Sequence, residues 1–221
     1  MSTSDSFLRS KIEQNNFYCS EQPQKLRKPE VHMVPALSTI APTWSGTAII
    51  NLNMEDISLN DYKGKYLIML FYPYDFTFIC PTEIIQFNDR IEEFNKLGCH
   101  LVAISTDSLY THLAWIITPR KQGGLGEMRM PVLSDKNQNI SRMYGILDEK
   151  EGVSLKGLFI IDKNQLIRHI TINEICLARS VDETLRILEA CKFVDEFGKT
   201  CPAGPRERLS ITNNESTYFN I

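Results

Sequence analysis

The hydrophobic pattern of the chain changes character near position 40. Positions 1–37 are polar and broken by Pro23, Pro29 and Pro35, the pattern of an arm rather than of a packed layer. Beyond about Ala41, apolar runs recur at regular intervals. Lys65-Tyr66-Leu67-Ile68-Met69-Leu70-Phe71-Tyr72 is almost continuously apolar, which predicts a strand covered on both faces. Pro81 opens a predicted helix over 81–97, with Ile84, Ile85, Phe87, Ile91 and Phe94 as its apolar stripe. A second buried strand is predicted over 101–105 and a helical stretch over 108–116. Gly123-Gly124-Leu125-Gly126 reads as a loop, and 137–144 as a helix stopped at Gly145. Positions 158–162 and 166–172 predict an antiparallel pair around a Lys163-Asn164 turn. Ser180 caps a final helix, with Asp182 and Glu183 in its first turn and Leu185, Ile187 and Leu188 on its buried side.

Strands alternating with helices, then a hairpin, then a helix, predict an α/β sandwich with a central mixed sheet flanked by helices. That order suits a thioredoxin-like fold. The expected organisation is an N-terminal arm over 1–37, a core domain over 38–193 and a C-terminal extension over 194–221.

Composition narrows the function classes. An apolar fraction of 43% and a charged fraction of 23% over 221 residues match an ordinary globular domain. A formal net charge of −3 offers no electrostatic case for nucleic acid or an anionic membrane surface. No apolar run approaches the roughly 20 residues that span a bilayer. Positions 1–16 lack the basic start, apolar middle and cleavage site of a secretory signal, so a cytoplasmic location is expected. A leader lost from the chain would make the endoplasmic reticulum or secretion the alternative. The six cysteines, at 19, 80, 99, 176, 191 and 201, form no Cys-x-x-Cys and no zinc spacing. No metal and no cofactor are therefore expected.

Chemistry concentrates between Phe71 and Glu83. Cys80 stands where a buried strand ends, with Pro81 at the first predicted helical position. A sulfur there faces unpaired backbone N–H groups and the positive end of the helix dipole, both of which favour thiolate over thiol. Thr77 can bring a hydroxyl beside that sulfur, and Pro73 can shield it without competing as a donor. By spacing alone, a buried, inert cysteine in a strand–helix turn remains the other reading.

These residues carry a resemblance. Pro73-x-x-x-Thr77-x-x-Cys80, within Phe71-Tyr72-Pro73-Tyr74-Asp75-Phe76-Thr77-Phe78-Ile79-Cys80-Pro81-Thr82-Glu83, resembles the active-site signature of typical 2-Cys peroxiredoxins. Further matches follow in family order: Thr111-His112-Leu113-Ala114-Trp115, the glycine loop, Gly157-Leu158-Phe159-Ile160-Ile161-Asp162, Arg179-Ser180-Val181-Asp182-Glu183-Thr184 and Cys201-Pro202-Ala203-Gly204. The likeness runs from about Ala41 to Phe219. It implies a peroxidase acting on hydrogen peroxide and small organic hydroperoxides. Cys80 is then the peroxidatic cysteine and Cys201 the resolving one. Thr77 and Arg179 contact the peroxide, and Glu83 polarises the catalytic arginine. The resemblance further implies thioredoxin as reductant and a homodimer, assembling into a decamer as a ring of five dimers. Gly123-Gly124-Leu125-Gly126 and Tyr218-Phe219 resemble motifs of members sensitive to over-oxidation.

Two positions depart from the family. Lys156 stands where relatives carry an active-site arginine, which keeps the charge and loses the planar fork. Cys176 stands where they carry proline, with Ala178 for glycine; a packing substitution is expected at Cys176, and added thiol chemistry is the alternative. Because of Lys156 and a diverged C-terminal tail, with Pro205 where relatives carry tryptophan, a slow peroxide sensor, thiol relay or holdase chaperone of the same fold is the competing functional reading. Cys99 and Cys191 are expected to pack in the core. Trp115 is either a core residue or part of a dimer contact, and His112 is expected to be neither base nor ligand. Cys19 has no assigned role.

Overall fold

Strand β3 (Tyr66–Phe71) has all six residues buried and lies at the heart of a seven-stranded sheet. The computed structural model describes residues 33–77 and 79–198, without the side chains of Ile79 and Cys80. Cys19, Cys201 and Tyr218-Phe219 lie outside the described residues. β3 runs parallel to β4 (Cys99–Ser105) and antiparallel to β8 (Lys156–Ile161), so the sheet is mixed. Successive side chains of a strand point to opposite faces, and here both faces are covered. Tyr66, Ile68, Leu70 and, just past the strand, Tyr72 pack into one core cluster with Phe87, Trp115, Leu185 and Leu188. Leu67, Met69 and Phe71 join a second cluster with Val102, Ile104, Phe159 and Tyr144. The unbroken apolar run is the signature of this double burial, and the fold is the expected thioredoxin-like sandwich.

The remaining strands are β1 (Ser45–Ile50), β2 (Asn53–Ser58), β5 (Val132–Ser134), β6 (Leu147–Asp148), β7 (Val153–Ser154) and β9 (Ile167–Asn173). The large sheet has the order β2-β1-β5-β4-β3-β8-β9, and β6 and β7 form a separate pair. The β8–β9 hairpin forms as the pattern predicts. Asp162 shapes its turn by accepting hydrogen bonds from the backbone N–H groups of Asn164 and Leu166, at 2.8 and 2.9 Å. The β1–β2 hairpin was not predicted, because β2 is largely exposed and its sequence carries little apolar signal.

The helices are α1 (Ile79–Asp89), α2 (Ile91–Lys96), α3 (Leu109–Ile117), α4 (Asn139–Met143) and α5 (Val181–Phe197). The single helix expected over 81–97 is two helices, broken at Arg90. The apolar stripe continues across the break, so periodicity alone does not report it. What sets the break is tertiary. Asn88 turns its amide away to accept from the Arg129 N–H at 2.7 Å and to donate to the Glu127 carbonyl at 3.1 Å. Arg90 grips Glu93 at 2.7 Å and Asp182 at 2.6 Å. The start also differs: α1 begins at Ile79, so Cys80 lies inside its first turn and Pro81 follows within that turn. Ser180 caps α5 as expected, accepting from the Glu183 N–H at 3.2 Å. In the glycine loop, a Cβ at Gly124 would lie 1.9 Å from the Thr118 carbonyl oxygen, so only glycine fits there.

Candidate active site

The register of three strands gathers the site at one edge of the sheet. Leu70 pairs with Leu158 across the antiparallel β3–β8 ladder, bringing the start of β8 level with the end of β3. Lys156 pairs with Asn173, bringing the end of β9 to the same edge. The Ser154 hydroxyl fastens this edge by donating to the Tyr72 carbonyl at 2.8 Å. Residues distant in the chain (72–83, 156 and 173–179) thus converge.

At the convergence three charged side chains are buried together. Lys156 is 0% exposed, Glu83 2% and Arg179 6%. Arg179 donates to Glu83 Oε1 through its backbone N–H at 2.6 Å and its Nε at 2.7 Å, and to Oε2 through Nη2 at 3.1 Å. Its Nη1 donates to the Gly157 carbonyl, which ties helix α1, strand β8 and the segment before α5 to one guanidinium. Lys156 Nζ lies 3.2 Å from Glu83 Oε2, a charge contact without hydrogen-bond alignment. No other described acceptor takes its protons. Burial by itself pushes the Glu83 carboxyl up. Hydrogen bonds and charge from Arg179, with the charge of Lys156, outweigh that and hold it below its ordinary range. Glu83 is the fifth residue of α1, and it is held by its ion pair with Arg179, the residue that the resemblance has it polarise.

Pro73 is buried and Thr77 half-buried in the turn that leads from β3 to α1. The Thr77 hydroxyl reaches the Tyr74 carbonyl only at 3.4 Å, a long bond. A network that sequence reasoning passed over holds this turn. Asp75 accepts from the Tyr72 hydroxyl at 2.8 Å and pairs with His112 Nδ1 at 2.8 Å, while its backbone N–H donates to Asp107 at 2.9 Å. Phe76, next in the chain, has a φ of 54°, a region that disfavours bulky residues. The clamped Asp75 stabilises that conformation. Burial raises the Asp75 pKa, against the hydrogen bond and charge of His112. An Asp75→Ala chain should lose about 1–3 kcal/mol, the cost of a buried hydroxyl and imidazole left without their acceptor. A urea-unfolding midpoint unchanged from wild type would contradict this. The signal was available: a carboxylate and a histidine each sat in an otherwise apolar setting.

The cysteines separate into distinct environments. Cys99 is buried in β4, and Cys191 on α5 packs against the core, as expected; both remain thiols. Trp115 is wholly buried and its ring lies tilted against Tyr72, the core alternative of its two readings. Cys176, expected to be a packing substitution, is disulfide-bonded. No helix among the described residues is long and apolar enough to cross a membrane.

Comparison with known proteins follows the same lines. The family model described as AhpC/TSA matches residues 37–170. Peroxiredoxin 2 of Drosophila melanogaster is 54% identical over 190 residues, spanning 84% of this chain and 98% of that protein. A Pongo abelii protein named thioredoxin-dependent peroxide reductase, mitochondrial, is 48% identical over 190 residues, spanning 85% of this chain and 74% of its own length. The crystal structure of the reduced 2-Cys peroxiredoxin of Plasmodium vivax superposes with a TM-score of 0.76 at 36% identity, covering 78% of this chain and 91% of that one.

Proposed function

The chain belongs to the AhpC/TSA family as a peroxiredoxin, a peroxidase enzyme, and we propose that it reduces hydroperoxides through a sulfenic acid on Cys80. The observation that carries this reading is the buried cluster of Lys156, Arg179 and Glu83, which has two cations for one carboxylate. Cys80 and Glu83 lie three apart on α1 and so share a helix face. A thiolate at Cys80 supplies the negative charge that the cluster lacks.

The thiolate attacks the terminal oxygen of the hydroperoxide in line with the O–O bond. A sulfur–oxygen bond forms and the O–O bond breaks. Its electron pair leaves on the other oxygen, which departs as alkoxide or hydroxide and takes a proton from water. Sulfur is oxidised by two electrons, to the sulfenic acid. The Thr77 hydroxyl and the N–H of Cys80 hold the two oxygens, and Arg179 and Lys156 stabilise the charge that moves to the leaving one. Pro73 keeps water and competing donors from the sulfur. Glu83 is a positioning residue, fixing both cations. The Cys201 thiol then attacks the sulfenic sulfur across a homodimer; the disulfide forms and the hydroxyl leaves as water. A thioredoxin-type dithiol restores both thiols by two exchanges and is itself oxidised. Peroxide-dependent oxidation of reduced thioredoxin tests the cycle, and an absence of turnover with that dithiol would count against it. By likeness to the family, dimers form a ring of five.

Lys156 sets the speed. An ammonium can serve one oxygen at a time, whereas a guanidinium can serve two in one plane. Lys156→Arg should therefore raise the second-order rate constant for peroxide by about tenfold, the worth of one charge-assisted hydrogen bond in the transition state. Stopped-flow measurement with an unchanged or lower rate would refute this account of Lys156. The slow-sensor reading rests on the same residue. It requires that wild type oxidise at Cys80 yet turn over poorly with thioredoxin.

A further inference from the structure

Cys176 lies in the segment that joins β9 to Arg179, and both ends of that segment are tied to the Cys80 cluster. At one end Asn173 pairs with Lys156 across the β8–β9 ladder. At the other, the Arg179 N–H donates to Glu83 Oε1 at 2.6 Å. Between them the Leu177 N–H turns back to the Glu174 carbonyl at 2.9 Å, so the segment is a tight turn rather than an open loop. Cys176 is half-buried within it.

The spacing is symmetrical about the ion pair. Cys176 precedes Arg179 by three residues, and Cys80 precedes Glu83 by three residues. Three residues of chain reach at most about 10 Å, and one turn of helix rises about 5 Å. Both cysteines are therefore tethered by short stretches of chain to the two ends of one salt bridge. The sulfur of Cys176 is already in a disulfide. Cys99, by contrast, is buried within strand β4 of the sheet.

We propose that Cys176 is a second resolving cysteine, which closes a disulfide with Cys80 inside one subunit. The inference rests on the reading of Cys80 as the residue that peroxide oxidises. The Cys176 thiolate attacks the sulfenic sulfur of Cys80. The sulfur–sulfur bond forms, the sulfur–oxygen bond breaks, and hydroxide leaves with the thiol proton as water. The two electrons that regenerate both thiols come from a dithiol reductant, as for Cys201. This route needs no partner subunit. It also competes with a second peroxide for the sulfenic acid, so it protects the site from over-oxidation.

The test uses full-length Cys201→Ser and the double variant Cys176→Ser/Cys201→Ser, each reduced and then given a stoichiometric amount of hydrogen peroxide. Peptide mapping and dimedone labelling follow, and circular dichroism checks that each chain is folded. In Cys201→Ser we expect a Cys80–Cys176 linked peptide, loss of both thiols, monomer mobility on a non-reducing gel and little dimedone on Cys80. In the double variant Cys80 should carry dimedone in full. Equal dimedone labelling of the two variants, or Cys176 bridged to Cys19, overturns the internal route while leaving Cys80 as the oxidised residue. Cys80 unlabelled and still a thiol in the double variant overturns both. A Cys176→Ala counterpart separates loss of the thiol from any effect of serine on the turn.

Discussion

A Cys80→Ser chain is expected to consume peroxide no faster than free thiols in solution, the largest single loss available to this enzyme. A serine hydroxyl stays protonated at neutral pH and cannot replace a thiolate nucleophile, even beside two buried cations. Its partners in the cycle behave differently. On the proposed cycle Cys201→Ser is expected to keep the first oxidation and to lose resolution across the dimer, so a stopped-flow trace should show a fast first phase followed by altered turnover. The contrast discriminates between the two roles. If Cys80→Ser retained the fast phase, another sulfur would be the primary site of attack, and the charged cluster at α1 would need a different explanation. Because serine and cysteine are nearly isosteric and the ion pairs are made among Glu83, Lys156 and Arg179, the serine chain should fold and keep the buried ion pairs.

Glu83→Gln carries the largest expected effect on stability. The substitution leaves Lys156 and Arg179 buried without a counter-charge, and breaking such an arrangement costs about 3–5 kcal/mol. The pH dependence identifies the cause. Glu83 in the folded chain titrates below its ordinary range, so the folded state binds its proton less tightly than the unfolded state. Its contribution is therefore fully present above the unfolded value of about 4.3. It disappears as pH falls through the lower folded value. The difference in unfolding free energy between wild type and Glu83→Gln should be flat through neutrality and shrink in acid. Denaturant unfolding across that range measures it; a difference that persists undiminished at low pH would mean that Glu83 acts through packing instead. Asp75 runs the opposite way, since its pKa is raised: ionising it opposes folding, and that penalty fades as pH falls. Comparing against Glu83→Gln cancels this background, because Asp75 is present in both chains. Activity should fall with stability, since both cations would lose the anchor that aims them.

The two predictions depend on information of different kinds. Cys80 was legible from its neighbours: a strand-ending apolar run, a proline after it and a threonine three residues before it are local features. Glu83 was named through the family resemblance, as the partner of the catalytic arginine, and nothing in its local sequence pointed to that pairing. Its ligands lie 73 and 96 residues further along the chain, at Lys156 and Arg179. No periodicity encodes a contact over such separations. Asp75 and His112 lie 37 residues apart and meet where the turn after β3 reaches α3, so their local settings hinted at them and only the fold paired them. Cys176 shows the reverse error: a departure from the family pattern read as bland substitution, whose position near the site depends on the hairpin register.

By itself, the sequence determined the elements that obey short-range rules. These are the doubly buried β3, the β8–β9 hairpin around its Lys163-Asn164 turn, the Ser180 cap and the placing of Cys80 at a helix start. Side-chain periodicity, capping and turn chemistry act over a few residues, so their record survives in linear order. Tertiary structure alone decided where α1 ends, because Asn88 and Arg90 spend their side chains on residues far along the chain. It alone decided that Lys156, Arg179 and Glu83 share one buried space, because ladder register across β3, β8 and β9 sets which residues reach the same edge. Electrostatics in such a space depends on distance and burial rather than on position in the sequence. Cys80 could therefore be proposed as the nucleophile from the sequence and its charged company named by resemblance, while the burial and pairing of that company came only from the fold.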